Sequence, residues 1–309
     1  MSWSSAIQKT SGILDARAID QYHEKGWLFL EDVIDPSDLE AARVSLATLS
    51  TVERSDRYSK SGRVDFTKIP NLAKNDEAFR RLASSPRLVP AVEALLGQPA
   101  LIFRDVLIAK PARDGAPFTY HQDSEYWDVK PAALLSAWIP FRDVGIEDGC
   151  LRVIEGSHNK RYAHDLLLGA GHAMPRGLTL ALRKLASLSG TGDSDAAGFS
   201  AMRALKRSVL GNMTRHFSFL AGLQELHARV PDEEKCREVS LPVRAGSAIL
   251  FHSLLLHASH PNNSDRDRLA YIASYMGAYY TFCGVGNPEF LVAGESSSRV
   301  FQKVRVVHS

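Results

Sequence analysis

"AILFHSLLLHASHPNNSDRDRLAYIASYM" runs from Ala248 to Met276 as two apolar runs separated by PNNSD, a cluster of turn-forming residues. Apolar runs of this length bounded by a turn predict two strands. The simplest path is an antiparallel hairpin centred on the Asn262–Asn263 bond. That register sets His257 opposite Arg268, His260 opposite Asp265 and His252 opposite Ala273. Directly opposed residues share a face, and so do residues two apart along one strand. His257, Ser259 and Arg268 then project from one surface, and His252 and His260 from the other.

Further strands are predicted upstream in ALIFRDVLIAK (Ala100–Lys110), LLSAWIPFRDV (Leu134–Val144) and CLRVIEG (Cys150–Gly156), separated by Gly, Pro and Asp. The first hundred residues are mostly helical around one strand. AIDQYHEKG (Ala18–Gly26) reads as a helix stopped by glycine, and WLFLEDVI as a strand. In DPSDLEAARVSLATL, Asp35 suits a cap and Pro36 the first helical position. DEAFRRLASSPRLVPAVEALLG adds one or two short helices broken near Pro86. Helices followed by strands with turn signals predict a mainly β fold with flanking helices. We expect a double-stranded β-helix (a cupin-like jelly roll) with an N-terminal helical layer, one domain over residues 1–309.

One segment breaks the pattern. From about His164 to Val239 the sequence predicts a helical insertion, with GLTLALRKLASL and FSAMRALKRSVLGNMTRHFSFLAGLQELH as helices joined by a Gly/Ser/Asp linker. Lys160 to Arg215 holds nine Lys or Arg against three Asp and no Glu. This basic insertion is either a solvated face, an interface, or a lid over a site for an anionic substrate.

A second stretch supplies more chemistry. In PFTYHQDSEYWDV (Pro117–Val129), His121 and Asp123 stand two apart, so on a strand both aim at one point. A third ligand on a late strand comes from His252, His257 or His260, and the hairpin favours His257 because only it faces a guanidinium. Two histidines and one carboxylate leave three positions open on an octahedral ion, the ligand set of non-haem Fe(II) oxygenases. A neighbouring Arg can grip a carboxylate through two parallel hydrogen bonds. A keto acid that chelates iron and carries a far carboxylate to Arg268 is 2-oxoglutarate, with O2 as oxidant. Tyr120, Tyr126 and Trp127 flank the pair and either line a substrate pocket or pack the core. A zinc hydrolase can also use two His and an Asp, but has no need of Arg268.

Composition narrows the classes. The 309 residues carry a net charge of +2, with 45% hydrophobic and 23% charged residues, as in ordinary globular proteins. The net charge gives no electrostatic case for nucleic acid, no nucleic-acid motif or membrane-length apolar run is present, and the first residues lack a signal-peptide layout. Three scattered cysteines suggest reduced thiols and a cytoplasmic setting. The expected partner is a small molecule, for a monomer or homodimer.

These blocks, in this order, resemble the phytanoyl-CoA dioxygenase family of Fe(II)/2-oxoglutarate oxygenases. QYHEKGWLFLEDVIDPSDLEAAR is similar to the family's opening helix, strand and helix, and SAWIPFRDVGIEDGCLRVIEGSHN to its central strands and Gly-Ser-His turn. The resemblance implies His121, Asp123 and His257 as iron ligands, with Arg268 and Ser259 holding 2-oxoglutarate. It also implies Lys110, in LIAKP, and Trp138 as helpers in co-substrate binding. Glu155 departs from the family's usual proline before Gly-Ser-His, and the insertion has no counterpart from which a substrate can be carried over. An intact Asp123, where family halogenases carry a small residue, implies hydroxylation or another oxidation at C–H, with release of succinate and CO2. A secondary-metabolite scaffold is the expected substrate. The alternatives are an osmolyte, as in the ectoine hydroxylase branch that HQDSEYW resembles, an acyl-CoA, or a silent ligand-binding role.

Overall fold

The computed structural model describes residues 7–9, 14–49, 57–58, 66–113, 115, 117–127, 129–168, 172–173, 225–283, 289–294, 301–303 and 305–306. Helix α1 (Ala16–Lys25) starts at Asp15, whose carboxylate accepts from the Ala18 N–H at 2.7 Å, and stops at Gly26. Gly26 has φ 82°, and a Cβ there would fall 2.4 Å from the His158 ring, so no other residue fits. Helix α2 (Pro36–Leu49) begins at the predicted proline. Asp35 accepts from the N–H and hydroxyl of Ser37 at 2.8 and 2.6 Å. Three short helices follow: α3 (Leu72–Asn75), α4 (Glu77–Ala83), which Asp76 caps, and α5 (Val89–Leu96).

Ten strands build the core: β1 (Trp27–Glu31), β2 (Phe66–Pro70), β3 (Ala100–Lys110), β4 (Phe118–His121), β5 (Leu135–Pro140), β6 (Leu151–Ile154), β7 (Glu238–Leu241), β8 (Ala248–His252), β9 (His257–Ser259) and β10 (Arg268–Gly277). The larger sheet runs β1-β8-β5-β10-β3, with β2 and Glu289–Val292 both pairing β3. The smaller runs β7-β6-β9-β4. Neighbours within this core are antiparallel. The outer face of the larger sheet packs on the helices through Leu28, Leu30, Ile139, Leu250 and Tyr271. Its inner face meets the smaller sheet through Trp138, Ile249 and Phe251 against Leu151, Val153 and Leu241. With both faces covered, β5 is buried at every position, which is why its sequence shows no polar alternation.

The predicted hairpin does not form. β8 lies between β1 and β5, and β10 between β5 and β3, while β9 pairs with β6 and β4 in the other sheet. A strand has two hydrogen-bonding edges, and these neighbours occupy both edges of each. PNNSD is therefore part of a crossing between sheets. Asn262, 1% exposed, donates to the carbonyls of Lys110 and Arg266 at 3.1 and 2.8 Å and accepts from the Ser264 N–H at 3.2 Å. Arg268 consequently stands beside Lys110, and His257 beside His121 and Val153.

The insertion is corrected at both ends. His164–Leu168 pairs antiparallel with His172–Ala173 and with Glu225–Ala228, followed by a short helix at Asp232–Lys235 and β7. Strand pairing at the edge overrides the helical signal there. The predicted helices across residues 174–224 lie outside the described residues. Among the described residues, no helix is long and apolar enough to cross a membrane.

Asp105, 3% exposed on β3, ties the helical layer to the sheet by accepting from the Ala73 N–H at 2.8 Å and the Tyr271 hydroxyl at 3.1 Å. Asp105→Ala strands both donors and should lower the unfolding free energy by about 2–4 kcal/mol. Urea denaturation reads this directly, and a loss below about 1 kcal/mol would contradict the tie. His252 gives a pH dependence. Burial, then His158 and His23, depress its imidazole to about 4. The unfolded chain takes up this proton first, near its ordinary value of about 6.5, so stability falls as pH drops from 6.5 toward 4. His252→Asn should flatten that slope in denaturation series run across the window.

Candidate active site

The inner faces of the two sheets enclose a cavity of about 320 Å³. His121 ends β4, His257 opens β9, and the two are register partners with ring centroids 4.2 Å apart. Asp123 does not share their strand. It starts a 3-10 turn (Asp123–Glu125), which is held by the Ser124 N–H donating to the Ser253 carbonyl at 3.0 Å. That turn brings its Oδ1 to 3.8 Å from Nε2 of both histidines. The three donor atoms lie within 4.8 Å of one another. Cis donors on an ion bonding at about 2.1 Å stand roughly 3 Å apart, so a small contraction closes the set.

The imidazoles are oriented for this. Nδ1 of His121 donates to the Thr119 carbonyl at 2.8 Å, and Nδ1 of His257 to the Leu255 carbonyl at 2.9 Å, which leaves each Nε2 as the acceptor facing Asp123. Burial, and then the His257 ring, push the His121 imidazole well below its ordinary range. It stays neutral, the state a metal ligand needs. Gln122, fully buried between His121 and Asp123, donates to the Leu254 and Lys160 carbonyls at 2.6 and 2.8 Å and accepts from the Tyr162 N–H at 2.9 Å. It locks the ligand-bearing turn to the segment that leads into β9. The Ser157 hydroxyl accepts from the Leu256 N–H at 2.9 Å and steadies the same segment.

At the other end of the cavity lies Arg268, 1% exposed, its Cζ 5.6 Å from the Trp138 ring centroid. Its Nε and Nη1 are buried without a hydrogen-bond partner among the described residues. Burial lowers its guanidinium only to about 10, so it is charged at neutral pH. A buried, charged fork of donors with no acceptor fits an anion bearing a carboxylate. Beside it, Ser259 lines the cavity, and Lys110 Nζ donates to Ser259 Oγ at 2.8 Å and to the His260 carbonyl at 2.5 Å.

Most residues expected from the sequence converge here. His121, Asp123, His257, Arg268, Ser259, Trp138, Tyr126 and Trp127 line the cavity, and Lys110 stands behind Ser259. Tyr120 does not. It packs on the far side of β4 with Ile154 and Tyr162, its hydroxyl bonded to Glu238. Alternation turns it away, and a register irregularity against β9 turns Phe118 inward along with Thr119 and His121. His252 contacts Tyr22 and His158, and His260 bonds Ser240, so neither competes with His257. Lys68, Arg104 and Ser274 also line the cavity and were not foreseen. Arg104 was legible as a same-face partner of Lys110, six residues along one strand.

A sequence model of the family described as "Phytanoyl-CoA dioxygenase (PhyH)" matches residues 22–270. The chain belongs to the phytanoyl-CoA dioxygenase family. Mouse (Mus musculus) phytanoyl-CoA dioxygenase domain-containing protein 1 is 28% identical over 217 residues, 70% of this chain and 58% of that protein, so the chain spans little over half of that relative's length. The L-proline trans-4-hydroxylase of Streptomyces griseoviridis is 26% identical over 296 residues, 92% of this chain and 94% of the hydroxylase. Among solved structures, the carbocyclase SnoK from nogalamycin biosynthesis superposes with TM-score 0.63 at 20% identity, covering 96% of this chain and 99% of SnoK. EctD from S. alaskensis, with 2-oxoglutarate and 5-hydroxyectoine, gives 0.56 at 19% identity over 88% of this chain and 79% of EctD. These likenesses establish the jelly-roll fold of Fe(II)/2-oxoglutarate oxygenases, whose iron and 2-oxoglutarate match the donor set and the buried Arg268.

Anaerobic equilibrium dialysis should find one Fe(II) per chain. Asp123→Ala removes a ligand outright, so its affinity should fall by more than the roughly 10–100-fold typical of disturbing an outer hydrogen bond. Unchanged iron content in that variant would remove Asp123 from the site.

Proposed function

We propose that this chain is an Fe(II)- and 2-oxoglutarate-dependent dioxygenase that hydroxylates a C–H bond of a small molecule. His121, Asp123 and His257 hold the iron, and Arg268 and Ser259 hold the far carboxylate of 2-oxoglutarate. The observation that carries this reading is the unpartnered, buried Arg268 at one end of a cavity whose other end presents a His-Asp-His triad. With O2, the bound iron and 2-oxoglutarate supply the oxidising chemistry and release succinate and CO2. The protein's part is positioning. Lys110 donates to Ser259 Oγ, which leaves the serine's own hydrogen to be donated to a carboxylate. The Trp138 ring lies 5.6 Å from the Arg268 Cζ and packs against the guanidinium, and the apolar Leu151, Phe251 and Ile272 line the cavity between its two ends.

The substrate is compact. A cavity of about 320 Å³ that also takes 2-oxoglutarate is at the low end of ordinary ligand pockets. Near full-length similarity to an L-proline hydroxylase supports the same reading. A secondary-metabolite scaffold fits only if it is of that size. We further propose one oxygenase domain across residues 1–309.

Anaerobic titration of the Fe(II)-loaded protein with 2-oxoglutarate should produce the visible charge-transfer band of the chelate. Arg268→Ala should raise the 2-oxoglutarate concentration needed by roughly 10- to 100-fold, since bonds to charged groups contribute about 1.5–3 kcal/mol. Absence of the band in the wild type at saturating ligand overturns the proposal.

A further inference from the structure

We infer that the substrate is an anion, a small carboxylic acid gripped by Arg104 at the rim of the cavity. This rests on the proposed function above and names the substrate class for that site. Among the described lining residues, Asp123 is the sole acid, and Lys68, Arg104 and Arg268 are the cations. A ferrous ion, Asp123, a dianionic co-substrate and Arg268 cancel one another in charge. Among the described lining residues Arg104 then remains as a positive charge that this set does not cancel, so an anion is the ligand it favours.

Arg104 is placed to use that charge. Alternate residues of β3 face inward, and Arg104, Val106 and Ile108 line the cavity on the same face that carries Lys110. Lys110 is fully buried at the co-substrate end, whereas Arg104 is exposed six residues away, at the opposite end of that face. Across the sheet, Arg104 pairs with Ser274 and Ser274 with Ser136. The row ends at the metal site, because Ser136 Oγ bonds Ser274 at 2.9 Å and reaches Asp123 Oδ2 at 3.5 Å. Two strand spacings, about 10 Å, separate Arg104 from Ser136. An anion on the guanidinium therefore leaves the rest of a compact molecule extending toward the iron ligands.

The guanidinium is also oriented and available. Its Cζ sits 5.8 Å from the Trp127 ring centroid, and it forms no hydrogen bond or ion pair among the described residues. A cation–π contact with the indole holds the guanidinium near the cavity while leaving its N–H donors for a planar carboxylate.

The test uses full-length protein loaded anaerobically with Fe(II) and saturating 2-oxoglutarate, so that Arg268 is occupied. Protein L-amino acids and benzoate, each paired with its carboxamide, and inorganic phosphate are titrated by calorimetry and by their shift of the chelate band. At least one acid should bind roughly tenfold or more tightly than its amide. In Arg104→Gln that preference should vanish, and Arg104→Lys should restore part of it. The inference is overturned if no acid outbinds its amide, if phosphate outbinds every acid, or if the preference survives in Arg104→Gln. Failure of the underlying reading is distinct: wild-type protein then gives no chelate band with 2-oxoglutarate, and this inference falls with it.

Discussion

The crossing between sheets at His260–Asp267 is the constraint on which the site depends. It carries the chain from His257 in the smaller sheet to Arg268 in the larger. A hairpin would have put both on one surface. The crossing instead sets them on facing surfaces, with a cavity between for one ligand to bridge. Asn262 fixes the path by bonding the carbonyls of Lys110 and Arg266 from a fully desolvated position. Gly149 makes room, since at φ 84° a Cβ there would come within 2.8 Å of the His260 carbonyl. Lys110 bonds that same carbonyl, so the crossing and the co-substrate end of the site share one set of contacts.

That arrangement costs stability. Arg268 is buried and charged, and two of its nitrogens have no acceptor among the described residues. Desolvating such a charge is unfavourable unless an anion joins it. A dicarboxylate that binds only the folded chain would relieve this and stabilise the fold by mass action. The hydrophobic interlocking of Trp138, Ile249 and Phe251 with Leu151 and Val153 supplies the stability that tolerates it.

Local signals were readable and pairings were not. Asp15, Pro36 and Gly26 act through the next few residues, and β3 matches its apolar run from end to end. The hairpin failed because PNNSD has turn chemistry, yet no local feature tells a turn within a sheet from one between sheets. His121 and Asp123 were found by spacing, though the geometry that joins them is a strand end and a 3-10 turn. Tyr120, Tyr126 and Trp127 looked equivalent in sequence, and strand alternation turns Tyr120 into the packing on the far side of β4. Gln122 was missed because its work is to three backbone carbonyl and amide groups distant in sequence.

Strand β3 joins these themes. Two of its odd positions face the helices, where Asp105 receives the Ala73 amide and Leu107 joins the outer core. From Arg104 onward, past a bulge at Phe103, its even positions face the cavity and run from the exposed Arg104 to the buried Lys110. A period of two thus lets one strand anchor the scaffold and present cations at both ends of the site. A one-residue slip of β3 against β10 would exchange the faces, turning Asp105 toward the His-Asp-His cluster and Arg104 and Lys110 into the helical core. The Asp105 tie to α3 opposes that slip, because it fixes which face of β3 meets the helices. The helical layer therefore sets the polarity of the cavity without touching any ligand.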